Sequence, residues 1–428
     1  MTFSDEYKVK CLSFIVITAF LLYIFHLQVS PYFPLRTPEI IFIVPENPEP
    51  VEKYLIMFDA GSSGTRIHVY LFSLNANGTL TLKGEFYDKI MKSLSSFTKR
   101  PNKASHVITD LLKEAHVIIP KEKWNTTLVA LKATAGFRSL PVNVSTSILD
   151  EVQKTVENSS FSCAEECVSV LSGEDEGIYG WYTLNFLLGA IEKENNSVAL
   201  LAVGGGSLQL SFSPADTDSI SLNTEDYKIL PKVHFSPVPI YSRSYLGFGT
   251  TSAKLSILEI PSNNSVVSKR KKNSKDLIEL STPCVHPLEK ITYRYNSEIY
   301  RIRGDRHGKY GYKYCYKKAV DFLGDTVSVP EELRNREIYA VSAHFIDAIA
   351  STLLVYEPSG SFTVGEFVSS CRFLCELPLR TFGCLECCYI AALLQHSIGL
   401  SSEKEIKFAT QISGVSTSWS LGAALNML

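Results

Sequence analysis

The chain has 428 residues, of which 45 % are hydrophobic and 20 % charged, with 24 Gly and 19 Pro. That is globular composition, and it excludes a wholly disordered, collagenous or coiled-coil protein. The net charge is -2, from 42 Lys and Arg against 44 Asp and Glu. No global field therefore favours DNA or RNA, and a nucleic-acid partner would need a local basic patch. At roughly 150 residues per domain the length allows about three units, or two larger lobes.

Residues 1–10 contain Lys8 and Lys10, and the run from Cys11 to Phe25 is free of charge, its apolar character continuing to Val29. About 19 residues at about 1.5 Å each nearly span a hydrocarbon core of ~30 Å. No Lys or Arg follows until Arg36, so the positive-inside bias leaves 1–10 in the cytosol. It makes 11–29 a transmembrane signal anchor and carries the remainder across the membrane. A cleaved signal peptide is the alternative, although the run exceeds a usual h-region and no A-x-A site follows it. The sequons at Asn77, Asn125, Asn143, Asn158, Asn195 and Asn263 all fall on the lumenal side. Pro31, Pro34, Pro38, Pro45, Pro48 and Pro50 make 30–52 an extended stem.

From Lys53 onward, short β-branched runs alternate with helix-period segments, the pattern of α/β layering. Tyr54–Phe72 and Val198–Phe212 each read as strand, Gly/Ser turn and strand. Such an internal duplication predicts two related lobes facing one cleft, lobe I from 53–170 plus 412–428 and lobe II from 171–411. In the first turn, Gly61 and Gly64 let the backbone come close. The N–H groups and hydroxyls of Ser62, Ser63 and Thr65 can donate to phosphate oxygens, and Asp59 stands at the strand end where a hydrated divalent metal would meet it. Gly204, Gly205, Gly206 and Ser207 form the second turn. One such loop alone is an ordinary glycine hairpin; two with the same chemistry point to phosphate. No G-x4-G-K-[ST] or strand-to-helix G-x-G-x-x-G occurs, and neither does G-x-S-x-G or H-E-x-x-H.

Seven of the ten cysteines lie beyond residue 280, with Cys163 and Cys167 earlier and Cys11 in the apolar run. No second half at zinc-like spacing accompanies the Cys163/Cys167 or Cys384/Cys387 pairs, and a lumenal chain favours disulfides. Ser268–Lys272 and Arg301–Lys318 are the basic stretches, read as solvated loops with no nucleic-acid partner.

The ordered segments DAGSSGTR (Asp59–Arg66), KATAGFR (Lys132–Arg138), SGEDEGIYGW (Ser172–Trp181) and VGGGSLQ (Val203–Gln209) resemble the apyrase-conserved regions of the ectonucleoside triphosphate diphosphohydrolases. YSRSYLGFG (Tyr241–Gly249) and TSWSLGAAL (Thr417–Leu425) are also similar to that family, and the likeness covers 53–428. With one hydrophobic segment, the chain looks most like the single-anchored or secreted nucleoside diphosphatases of the ER and Golgi. The resemblance implies an actin-like α/β fold with two lobes, duplicated mixed sheets flanked by helices, and the active site in the interlobe cleft. It also implies attack of water on the terminal phosphorus with Ca2+ or Mg2+ present, chemistry that depends mostly on positioning and charge neutralisation.

By motif position Glu176 is the general base, chosen over Glu174 because the family's base directly precedes this glycine. Thr134 orients phosphate or water, Ser207 and Gln209 hold the attacking water, Arg138 pairs with a neighbouring carboxylate, and Phe345 offers stacking to the base. Cys284 with Cys315, and Cys371 with Cys384, resemble the family's two disulfides, while Cys163, Cys167, Cys375, Cys387 and Cys388 have no counterpart. Two positions depart from the pattern: Ala202 stands where the family's second loop has aspartate, and Ser416 where relatives are usually acidic. Loss of an outer-shell carboxylate costs about 10- to 100-fold. The expectation is therefore a lumenal, metal-dependent hydrolase of nucleoside diphosphates, with UDP or GDP preferred by resemblance and triphosphates as further substrates. A catalytically weakened nucleotide-binding paralogue is one alternative, and a cytosolic sugar kinase of the same fold another.

Overall fold

The computed structural model describes residues 50–76, 78–191, 197–214, 227–229, 239–260, 277–295, 298–305, 308–353, 359–378 and 381–428. The 11–29 anchor, almost all of the 30–52 stem, and Asn77, Asn195 and Asn263 lie outside them. Among the described residues no helix is long and apolar enough to cross a membrane. Asn125, Asn143 and Asn158 are exposed.

Strands β1 (Val51–Ala60), β2 (Thr65–Leu74), β3 (Leu80–Ile90), β4 (Leu128–Ala133) and β5 (Ser162–Val170) form one sheet in the order β3-β2-β1-β4-β5. A second sheet takes β6 (Ala199–Val203), β7 (Ser207–Phe212), β8 (Tyr227–Ile229) and β9 (Pro239–Leu246). After a separate three-stranded sheet of β10 (Leu277–Thr282), β11 (Lys290–Tyr295) and β12 (Glu298–Gly304), it adds β13 (Ile338–Val341), β14 (Ser359–Thr363) and β15 (Glu405–Ala409). Its order is β14-β15-β13-β6-β7-β9-β8.

The duplication read from the two glycine turns extends through both sheets. In each, an antiparallel hairpin, β1–β2 or β6–β7, adds an antiparallel neighbour on one side and two parallel strands on the other. The parallel strands require crossover connections, which the helices supply. Ala104–Ile118 and Val142–Glu157 do so around the first sheet, and Thr250–Ile257 and Ala343–Leu353 around the second. Because central strands are covered on both faces they read as continuous apolar runs; Leu55–Phe58 and Ala199–Leu201 are all buried.

Two apolar cores result, one on each sheet. The helix Gly173–Leu187 places Ile178, Trp181, Tyr182 and Leu184 in the first core, although its N-terminal glycines lie on β7 and β9 of the second sheet. A Cβ on Gly177 would come within 2.6 Å of the Ser211 and Ser242 hydroxyls, and one on Gly173 within 2.5 Å of the Ser244 side chain. Only glycine permits that approach, and it seats the first turn of this helix beside Gln209.

Four disulfides close the described chain: Cys163–Cys167, Cys284–Cys315, Cys371–Cys387 and Cys375–Cys384. The Cys284–Cys315 pairing implied by resemblance is present, whereas Cys371 pairs with Cys387 rather than Cys384. The reason is helical spacing. Cys371 and Cys375 are one turn apart on the helix Val364–Cys375, and Cys384 and Cys387 lie on the first turn of Gly383–Ala392. As the chain reverses, the inner pair bonds across the turn and the outer pair one turn behind it. Cys388 is a buried free thiol. Non-reducing peptide mapping is expected to find the nested 371–387 and 375–384 links; a 371–384 link would contradict the structure. Cys371→Ala with Cys387→Ala should cost about 2–5 kcal/mol in denaturant unfolding.

Candidate active site

The two glycine turns face each other across one cavity of about 350 Å3. On the first side it is lined by Asp59, Gly61, Ser62, Ser63, Arg66 and Thr134, and on the second by Gly204, Gly205, Gly206, Ser207 and Gln209. The first turn is closed by Gly61 N–H donating to Gly64 O at 3.0 Å, and is pinned by the Ser93 hydroxyl donating to Gly61 O at 2.7 Å. The second is closed by Gly204 N–H donating to Ser207 O at 2.9 Å. Cβ atoms added at Gly205 and Gly206 would stand 2.9 Å from the Ser62 hydroxyl and from the Ala135 Cβ, so a side chain at either position would crowd the opposite wall of the cleft.

Glu176 lies between them. It belongs to the first turn of the helix Gly173–Leu187, capped by the Ser172 side chain, which accepts from Asp175 N–H at 3.0 Å. Far from being a solvated acid at a helix start, its carboxylate is largely enclosed and accepts from Arg138 Nη2 at 2.8 Å and Gln209 Nε2 at 3.3 Å. Arg138 Nη2 also donates to the Ser207 hydroxyl at 3.1 Å, and Gln209 Nε2 does so at 2.7 Å. Burial pushes the Glu176 carboxyl up to about 7, with Asp59 adding to the rise and Arg138 opposing it. A carboxylate poised near neutrality and hydrogen-bonded to Gln209, which with the Ser207 hydroxyl can hold a water, is suited to general-base work. Glu174 does not line the cavity; its backbone carbonyl accepts from the Ser242 hydroxyl at 2.8 Å.

Asp59 is 7 % exposed at the end of β1. Its Oδ2 accepts from Arg66 Nη1 at 3.0 Å, and its buried Oδ1 has no partner among the described residues. One carboxylate oxygen left over beside a phosphate-sized cavity fits a hydrated hard cation, which typically binds through one or two carboxylates, waters and substrate phosphates. Ala202 occupies the matching place before the second turn, paired with Gln209 as Asp59 is paired with Arg66.

Three expected residues are not brought to the cavity. Gly64 turns away against β3, where an added Cβ would meet Ile90 O at 2.9 Å. The Thr65 hydroxyl donates to Lys92 O at 2.9 Å and the residue is fully buried. It begins β2, and the alternation that points Arg66 into the cleft points Thr65 behind the sheet. Phe345 is wholly enclosed in the second core, because successive helix residues are about 100° apart and the cleft-facing position is His344.

His344 also lines the cavity, outside the residues expected there, and its Nε2 lies 2.8 Å from the Ser63 hydroxyl. So does His68, whose buried Nδ1 stands 2.6 Å from Glu85 and whose Nε2 has no partner among the described residues. Period-two counting from Arg66 along β2 would have found His68. The C-terminal stretch Thr410–Trp419 completes the wall, and Ser416 N–H donates to Glu85 Oε2 at 2.6 Å.

Two related sheets, each offering a glycine turn to a shared cleft, with one acid aimed between the turns, define a two-lobed, actin-like phosphate-handling protein. A model of the GDA1/CD39 (nucleoside phosphatase) family matches residues 46–346. Ectonucleoside triphosphate diphosphohydrolase 6 of Mus musculus is 34% identical over 381 residues, spanning 88% of this chain and 82% of that protein. Human nucleoside diphosphate phosphatase ENTPD5 is 31% identical over 382 residues, spanning 88% and 87%. Among solved structures, a nucleoside triphosphate hydrolase from Neospora caninum superimposes with a TM-score of 0.60 at 13% identity, covering 88% of this chain and 93% of that one. An Aquifex aeolicus member of the Ppx/GppA family does so at 0.50 and 14%, covering 88% and 98%. The chain belongs to the GDA1/CD39 nucleoside phosphatase family.

If Glu176 is the base, it must be ionised to act, so phosphate release is expected to rise with pH through about 7 and level off above. Arg138→Gln removes the opposing cation, and the rising limb should move to higher pH. Glu176→Gln should lower turnover by about 10²-fold or more. A flat profile from pH 5 to 9, or an unimpaired Glu176→Gln, would exclude this role.

Proposed function

We propose that the chain hydrolyses nucleoside diphosphates, with triphosphates as further substrates, to the monophosphate and inorganic phosphate in the secretory lumen, with Ca2+ or Mg2+. The single observation that carries this is the placement of Glu176 with Ser207 and Gln209 opposite the Ser62–Ser63 turn. Four disulfides and exposed Asn125, Asn143 and Asn158 support a lumenal site of action. A relative named as a nucleoside diphosphate phosphatase supports the substrate class.

In this mechanism the phosphates bind to backbone N–H groups of both turns and to the Ser62 and Ser63 hydroxyls. Thr134, 4 % exposed just after β4, supplies a further hydroxyl. A divalent cation, held through water by Asp59 Oδ1, would neutralise phosphate charge. Gln209 and the Ser207 hydroxyl orient a water whose proton passes to Glu176 as its oxygen meets the terminal phosphorus. Arg138 fixes the carboxylate, and limits how far burial raises it. The bond to the leaving phosphate oxygen breaks in line, and the nucleoside monophosphate departs.

Ala202 favours one second reading, a nucleotide-binding paralogue with weakened chemistry, since Asp59 is the lone carboxylate before either turn. The test is phosphate release by purified protein from nucleoside di- and triphosphates with Ca2+, Mg2+ or chelator. Metal-dependent release is expected, and nucleotide binding without release would select the paralogue. Ala202→Asp is expected to raise metal-dependent turnover about 10-fold or more, and Asp59→Ala to remove it.

A further inference from the structure

His344 has no part in the hydrolytic steps above, yet its ring nitrogen stands where phosphate would enter. It follows Ser342, whose φ of 101 puts a non-glycine residue in the left-handed region, a strained conformation that the surrounding structure must hold. The Ser342 hydroxyl donates to Val203 O at 2.9 Å, which ties the turn after β13 to the strand end that launches the second glycine loop. His344 Nε2 is 2.8 Å from Ser63 Oγ on the first loop, and 3.4 Å from where a Cβ on Gly205 of the second would lie.

Ser63 Oγ accepts from Arg66 Nη2 at 3.3 Å, and its one proton is free to point at His344 when the imidazole is neutral with Nε2 as acceptor. Burial is the largest influence on the ring and pushes it below the usual histidine range. Arg66 on β2 and Lys254 on the helix Thr250–Ile257 push the same way, while Asp347 on its own helix and Glu386 on Gly383–Ala392 oppose.

A fully ionised phosphate offers acceptors only, so it cannot replace the Ser63 proton that Nε2 accepts. Resting on the nucleotide-hydrolase assignment above, we propose that His344 is a positioning residue that couples nucleotide entry to proton uptake. In the empty cleft its neutral Nε2 accepts the Ser63 hydroxyl proton. When the terminal phosphate takes that hydroxyl, Nε2 binds a proton from solvent and donates to a phosphate oxygen. The strained turn at Ser342 holds the ring in reach of both partners, and the negative charge of the phosphate stabilises the imidazolium.

The test uses the Glu176→Gln protein, in which hydrolysis is suppressed and the other titrating acid between the loops is removed. Binding of UDP with Mg2+ is measured calorimetrically at pH 7 in two buffers of different ionisation enthalpy, with and without His344→Gln. His344→Asn is run beside it to separate loss of the ring from a packing defect. The parent should take up as much as one proton more than either His344 variant. Its affinity should fall as pH rises, by up to about tenfold per pH unit, while theirs changes less. Equal proton uptake with and without His344 overturns the inference and leaves the hydrolase assignment standing. Failure of the Glu176→Gln protein to bind UDP at all sinks the assignment, and the inference with it.

Discussion

Burying a carboxylate is costly unless a cation or donors accompany it, and the cleft is organised around holding Glu176 in that condition. Its partners come from separate parts of the chain. Arg138 ends the short helix after β4, Ser207 and Gln209 belong to β7, and Glu176 itself rides on a helix anchored in the first core. No one lobe could assemble the set. The close seating of Gly173 and Gly177 on the serine-lined face of β7 and β9 brings them together, and a side chain at either glycine would lift the acid away from Gln209. The Arg138 contact then matters twice, because it orients the carboxylate and restrains the rise that burial causes.

The duplicated sheets give the site its geometry, and their divergence gives it its chemistry. Asp59 and Ala202 hold equivalent places, as do Arg66 and Gln209. The first loop therefore presents a carboxylate and a guanidinium, suited to phosphate and cation. The second presents an amide and a hydroxyl, suited to a neutral water. An aspartate at 202 would add a second carboxylate at the cleft, and without it Asp59 is the lone carboxylate at these paired positions.

Much of this was legible in the residues. The glycine turns announced both the duplication and the cleft, since few other sequences let two backbones approach so closely. The ordered motifs placed Glu176, Thr134, Ser207 and Gln209, and all four line the cavity. What failed was register over short distances. Thr65 and Arg66 are neighbours in sequence but face opposite sides of β2, and Phe345 and His344 differ by one helical step. The Cys371 partner could not be read either, because choosing between Cys384 and Cys387 requires knowing how two helices reverse at the turn between them. His344 carried no motif; its place is set by a turn at Ser342 whose backbone angle leaves no mark in composition.

The central claim is that water held by Glu176, Ser207 and Gln209 attacks the terminal phosphorus. Hydrolysis of a nucleoside diphosphate in water enriched with heavy oxygen, limited to one turnover and read by mass spectrometry, tests it most directly. One labelled oxygen should appear in inorganic phosphate and none in the nucleoside monophosphate. Label in the monophosphate, or phosphate released without label, would contradict attack at that phosphorus and the role given to the whole cleft.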